Sequence, residues 1–183
     1  TRILPLRWFA VAVWLIAFGL ATPASAQEDL LAVFGTVKHD ESNKKLQGVR
    51  VVVYQDGVEF DAISTDARGG YGFDLPLRHN YTFSFELAEH SNKRIEVDAS
   101  GIPLDVKGTR NMDLDMSMMP LPPGFDASIF EDPYGRGEYS ADQNTVVFDG
   151  NYTVRMRNKV NAELARLERM AGQAEEMREK FEE

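Results

Sequence analysis

Thr65-Asp66-Ala67-Arg68-Gly69-Gly70-Tyr71-Gly72-Phe73-Asp74-Leu75 holds a tight turn and the strand that leaves it. An Asp at the head of such a turn closes it by accepting from backbone amides, and glycines supply the backbone angles the turn needs. Tyr71, Phe73 and Leu75 then alternate with Gly72 and Asp74, a period of two that puts one face of a strand on a core. The same pattern spreads outward. Phe60–Thr65 leads into the turn, and Val49, Val51 and Val53 alternate with Arg50, Val52 and Tyr54 before Asp56-Gly57. Downstream, Tyr81, Phe83 and Phe85 alternate with Thr82, Ser84 and Glu86, while Leu31–Val37 opens the series. Over Asn111–Met119, Met112, Leu114, Met116 and Met118 share one face, with Asn111, Asp113, Asp115 and Ser117 on the other. Short runs separated by turns, with no alternating helices, predict an all-β chain. The expectation for residues 27–119 is an antiparallel, prealbumin-like Greek-key β-sandwich of about seven strands.

Residues 120–150 change character. Pro120, Pro122, Pro123, Gly124, Pro133, Gly135 and Gly137 interrupt regular structure, while Phe125, Ile129, Phe130, Tyr134 and Tyr139 supply apolar anchors. Such a composition predicts an extended segment lying across a surface, with one more short strand over Asn144–Phe148. Residues 151–183 predict an amphipathic α-helix, since Val160, Leu164, Leu167, Ala171 and Ala174 step by four, three, four and three. That stripe suits either the chain's own sandwich or a coiled-coil seam. Val160, Leu164 and Leu167 are the candidate partner-binding residues, for an envelope protein or a second copy of the chain.

The first residues carry an export pattern: Arg2 and Arg7, an apolar run from Trp8 to Leu20, then Thr22-Pro23 and Ala24-Ser25-Ala26. This order predicts a secretory signal peptide over residues 1–26, with no stable membrane span once it is cleaved. Those residues hold two of the 20 Lys+Arg and none of the 29 Asp+Glu, so the remainder carries a formal charge of −11. Such acidity excludes a surface for nucleic acid, which requires clustered Lys and Arg. The absence of Cys excludes disulfides, thiolate catalysis and zinc–thiolate sites, leaving stability to core burial.

The motif order Gly35-x-Val37, Leu46-x-Gly48-Val49-x-Val51-x-Val53, Thr65-Asp66-x-x-Gly69-x-Tyr71-x-Phe73-x-Leu75 and Tyr81-x-Phe83 resembles the carboxypeptidase regulatory-like (transthyretin-like) β-sandwich family. More loosely, the continuation through Phe148–Tyr152 resembles small exported proteins of Bacteroidetes-type bacteria carrying that module. The resemblance implies a rigid accessory module. The Tyr-Arg-Gly-Ser ending of transthyretin-like hydroxyisourate hydrolases is lacking, since this sequence ends Lys-Phe-Glu-Glu.

No motif points to catalysis. His39, His79 and His90 lack the spacing of a helical zinc site, no Gly-x-Ser-x-Gly elbow occurs, and Gly69-Gly70 opens no phosphate loop. Asp113 and Asp115 fall short of the six or more oxygens calcium takes. The expectation is a non-catalytic exported protein of the periplasm, with no catalytic, cofactor or metal residues assigned. Tyr134 and Tyr139, together with Tyr71, are candidate stacking residues for the alternative function, binding of a carbohydrate or small ligand.

Overall fold

Each alternating run becomes a strand because its apolar face can meet a second sheet. The computed structural model describes residues 29–182, so the expected signal peptide over 1–26 lies outside the described residues. The strands are β1 (Leu30–His39), β2 (Arg50–Gln55), β3 (Val58–Ser64), β4 (Gly70–Pro76), β5 (Asn80–Glu86), β6 (Lys93–Asp98), β7 (Arg110–Asp113), β8 (Met116–Met118), β9 (Gly135–Ser140) and β10 (Thr145–Phe148). One sheet has β1 between antiparallel β4 and parallel β7, with β8 pairing farther along β1. The other runs β10-β9-β6-β5-β2-β3 and is antiparallel except where β9 lies parallel to β6.

Between the sheets, Val33, Val37 and Leu75 from the first meet Val51, Val53, Phe83, Phe85 and Val97 from the second, all buried. Aromatic rings bridge the layers: Tyr71 meets Phe85 edge-on at 5.5 Å between centroids, and Phe73 meets Phe83 at 6.5 Å. The turn that opens the motif closes as its sequence requires, with Asp66 Oδ1 accepting from the amides of Arg68 at 2.7 Å and Gly70 at 2.8 Å.

The pattern predicts about seven strands and an eighth over Asn144–Phe148; ten are present. Residues 111–119 form two strands because the ladder is interrupted at Leu114-Asp115. Leu114 N–H still donates to the Phe34 carbonyl at 2.9 Å, but Asp115 Oδ1 then accepts from the Thr36 amide at 2.8 Å. A side chain there replaces a backbone acceptor. Gly35 permits the approach, since a Cβ at that position would lie 2.2 Å from the Leu114 carbonyl oxygen. The remaining unpredicted strand, β9, has its alternation hidden by glycine: a Cβ on Gly137 would meet the Phe148 ring at 2.9 Å.

The helix α1 (Gly150–Glu182) starts where Asp149 Oδ1 accepts from the Tyr152 amide at 2.9 Å, the arrangement of an N-cap. Among the described residues no helix is long and apolar enough to cross a membrane.

Candidate functional site

Three regions of the surface carry the functional candidates: the helix, the ground beneath Tyr134, and the neighbourhood of Tyr139. Along the helix, Val160 is buried with Met119 and Phe130, and Leu164 packs at the edge of the same cluster beside Leu121, Phe125 and Ile129. Leu167 is partly buried, and its Cδ2 lies 3.6 Å from where a Cβ on Gly124 would stand. The three residues expected to meet a partner therefore face the chain's own 119–130 segment. Polar contacts reinforce that seat. Glu163 accepts from the Asp126 amide at 3.0 Å and from both Nε and Nη2 of Arg166, and that Nη2 also donates to the Gly124 carbonyl at 3.0 Å. Those donors hold the Glu163 carboxyl down to about 2. From Glu168 to Glu182 every residue is exposed, and Met170, Met177 and Phe181 present apolar surface, Phe181 at 90 %.

Tyr134 does not stand free for a sugar. It packs against both apolar clusters, and the Lys93 ammonium sits over its ring at 4.1 Å. Lys93 itself is buried at 3 % exposure and donates to the Ser117 carbonyl at 2.8 Å. Burial pushes its ammonium down to about 8, against the opposing pull of Asp40. Tyr71 is also buried, its hydroxyl donating to the Leu114 carbonyl, and desolvation raises its phenol.

Tyr139 is half-buried against the core like Tyr134, and it lines two clefts. Its hydroxyl donates to Asn144 Oδ1 at 2.8 Å. On one side lies a trough of about 880 Å3 across β5, β6, β9 and β10, where Arg136 meets Glu96 at 3.1 Å and covers the Tyr152 ring at 4.6 Å. On the other lies a smaller cleft of about 180 Å3 that includes Arg110. Among the described residues, no three His, Asp or Glu side chains converge to hold a metal ion. The histidines serve locally: His79 Nδ1 meets Asp56 at 2.6 Å, and His39 accepts from the Ser42 amide at 3.3 Å.

Lys93 and Arg110 are the polar residues that sequence reading passed over. Both were accessible to it by register, because Lys93 alternates with inward Ile95 and Val97, and Arg110 precedes inward Met112 by two.

No family model matches the chain, and no curated protein matches it. Among solved structures, it is similar to the Bacillus anthracis TIE protein (15 % identity, TM-score 0.42, 50 % of this chain and 18 % of that one). It is similar to 3-chlorocatechol 1,2-dioxygenase from Rhodococcus opacus (9 %, 0.40, 54 % and 62 %) and to a C-terminal fragment of the pilus adhesin SpaC from Lactobacillus rhamnosus (13 %, 0.40, 52 % and 46 %). The chain thus spans between 18 % and 62 % of the length of these three structures. The likeness is one of fold over half of the chain. It corrects one expectation. The sequence pattern predicts a non-catalytic protein, yet catechol 1,2-dioxygenases stand among the similar structures. The lack of a linear catalytic motif is no evidence against an enzyme, because catalytic residues are often carried on loops distant in sequence.

Proposed function

We propose that the protein is an exported interaction module of the cell envelope, in which the sandwich mounts the helix and the outer part of the helix makes the contact. The observation that carries this is the apolar face beyond Leu167. Leu167, Met170, Ala174, Met177 and Phe181 step by three, four, three and four, the spacing of a coiled-coil seam. Among the described residues, every one from Glu168 to Glu182 is exposed. Val160, Leu164 and Leu167 anchor the helix base, and the same stripe continues outward to a second copy of the chain. The export pattern in residues 1–26 and the carboxypeptidase regulatory-like motif order support an envelope location, with the periplasm as default.

The test is sedimentation equilibrium of the intact protein beside a Met177→Glu/Phe181→Glu double variant. Wild type is expected to dimerise with rising concentration, and the variant to stay monomeric, with the melting temperature that wild type has at concentrations where it is a monomer. A wild type that stays monomeric at every concentration sinks the self-association reading. Cross-linking in the envelope, with and without the double substitution, then tests a heterologous partner.

A second reading, carbohydrate binding, is favoured by Tyr139 at the margin of two clefts. Retention on envelope or algal polysaccharide that Tyr139→Ala abolishes would support it.

A further inference from the structure

Strand alternation turns Arg110 toward the interior, on the same face of β7 as buried Met112. An inward arginine at the end of a sandwich normally finds a carboxylate or carbonyl, because burying an unpaired charge is costly. Among the described residues the Arg110 side chain has neither a hydrogen bond nor an ion pair, although the chain holds 29 Asp+Glu; its Nε is shielded by protein, so a ligand would reach only its terminal nitrogens. Arg78 makes the contrast clear. Its Nε is also shielded and unpaired, but its terminal nitrogens donate to the Val106 carbonyl at 2.7 Å and approach Asp29 at 3.6 Å.

The space beside Arg110 is shaped to be filled. Leu31, Met112 and Val146 contribute apolar walls, while Asn144 and Tyr139 stand with Arg110 as polar members. Tyr139 donates to Asn144 Oδ1, which leaves the amide nitrogen of Asn144 as a second donor beside the guanidinium. Thr109, Asn111 and Thr145 also line the cleft, so its surface is more polar than apolar, and several polar groups converging with one charged side chain suit a small polar ligand. A volume of about 180 Å3 matches a single small organic acid or one sugar unit, not a polymer.

We infer that this cleft binds a carboxylate group, either on a free small organic acid or on a uronate unit of an acidic glycan. The guanidinium fork matches a planar carboxylate through two parallel hydrogen bonds. One positive charge in a strongly acidic protein suits a monoanion and disfavours phosphate or sulfate dianions. The uronate form deepens the carbohydrate reading above, while the free-acid form stands without it; neither depends on association of the helix.

The test is calorimetric titration of the intact protein at low salt with sodium glucuronate, glucose, an oligogalacturonide and sodium sulfate. Glucuronate is expected to bind and glucose not. Arg110→Gln should weaken binding at least about tenfold, Arg110→Lys less, and Arg169→Gln on the outer helix not at all. Glucuronate and oligomer binding equally per carboxylate identifies a free acid as the ligand, whereas a markedly tighter oligomer identifies the glycan. Unchanged binding in Arg110→Gln, equal binding of glucose, tighter binding of sulfate, or no binding at all each overturns the proposal. Arg110→Leu supplies the folding control. An arginine held for a ligand leaves the free protein melting no lower after this change, and a lower melting temperature would reveal a structural partner and equally overturn it.

Discussion

The two halves of α1 carry the same kind of stripe and meet different fates. In the inner half Met156 and Val160 are buried, and every residue from Glu163 to Leu167 is partly covered. In the outer half, from Glu168 onward, the apolar residues lie open to solvent. Helix periodicity is alike on both sides of that boundary. The difference is made by residues far away in sequence: Met119, Leu121, Phe125 and Phe130 rise from the 119–130 segment and stop short of Met170. Phe125 and Phe130 stack at 5.8 Å, giving the inner half a firm apolar seat. A stripe therefore defines a face, and only tertiary structure decides whether the face is internal packing or open contact surface.

The sharpest way to break this contrast is to charge each half in turn. Val160→Asp places an unpaired carboxylate in a closed apolar cluster and is expected to destabilise the protein by about 3–5 kcal/mol. Phe181→Glu, in the exposed half, should shift stability by less than about 0.5 kcal/mol, as surface substitutions do. Urea denaturation of both variants checks the pair. Similar losses in the two would mean that the outer half is packed, and the proposed contact surface would disappear with it.

A middle-sized effect concerns the ground on which the inner half rests. Lys93 links β6 to the Ser117 carbonyl and to the Tyr134 ring, and Tyr134 also touches the cluster under Val160. Its ammonium is pushed from an ordinary value near 10.5 down to about 8. Between those values the unfolded chain binds the proton and the folded chain does not, so stability rises as pH climbs through this window and is reduced below it. The rise is at most about 3 kcal/mol. Above about pH 10, the raised phenols of Tyr71 and Tyr81 work in the opposite sense, since ionisation is easier in the unfolded chain. Lys93→Met should flatten the increase between about pH 8 and pH 10. An unchanged slope in that variant would show that Lys93 is not its source.

How much of this was legible depended on whether the signal was local. Tyr71, Phe73 and Leu75 declare their strand unaided, and Asp66 closes its turn through neighbours two and four residues on. The alternation over Asn111–Met119 correctly sorted four buried residues from four outer ones, but it ran straight through the interruption at Leu114-Asp115. That interruption depends on Gly35 and Thr36, nearly 80 positions away. The candidate sites were less legible for the same reason. Nothing near Tyr134 in sequence announces Lys93 above its ring, and nothing near Arg110 announces Asn144 across the cleft. Arg110 could have been singled out by extending the Met112 register back one step, because an arginine on an inward face is a question in itself.

The smallest expected effect lies at the boundary between the halves. Glu163 accepts from the Asp126 amide and from Arg166, and Arg166 in turn donates to the Gly124 carbonyl, so two side chains clasp the helix to the segment below it. The donors lower the Glu163 carboxyl from an ordinary 4.5 to about 2. A depressed carboxyl contributes stability above its unfolded value and loses it as pH falls through the folded one. The clasp should hold at neutral pH and release progressively between about pH 4.5 and pH 2. Glu163→Gln keeps an acceptor oxygen but removes the charge, so it should retain the amide contact, weaken the hold on Arg166 and remove that acid dependence. Hydrogen exchange at the Asp126 amide reads the clasp directly. Faster exchange on acidification than the intrinsic acid trend allows, in wild type but not in Glu163→Gln, is the expected result. Equal behaviour in the two would leave the apolar seat alone as the divider between the bound and the open helix.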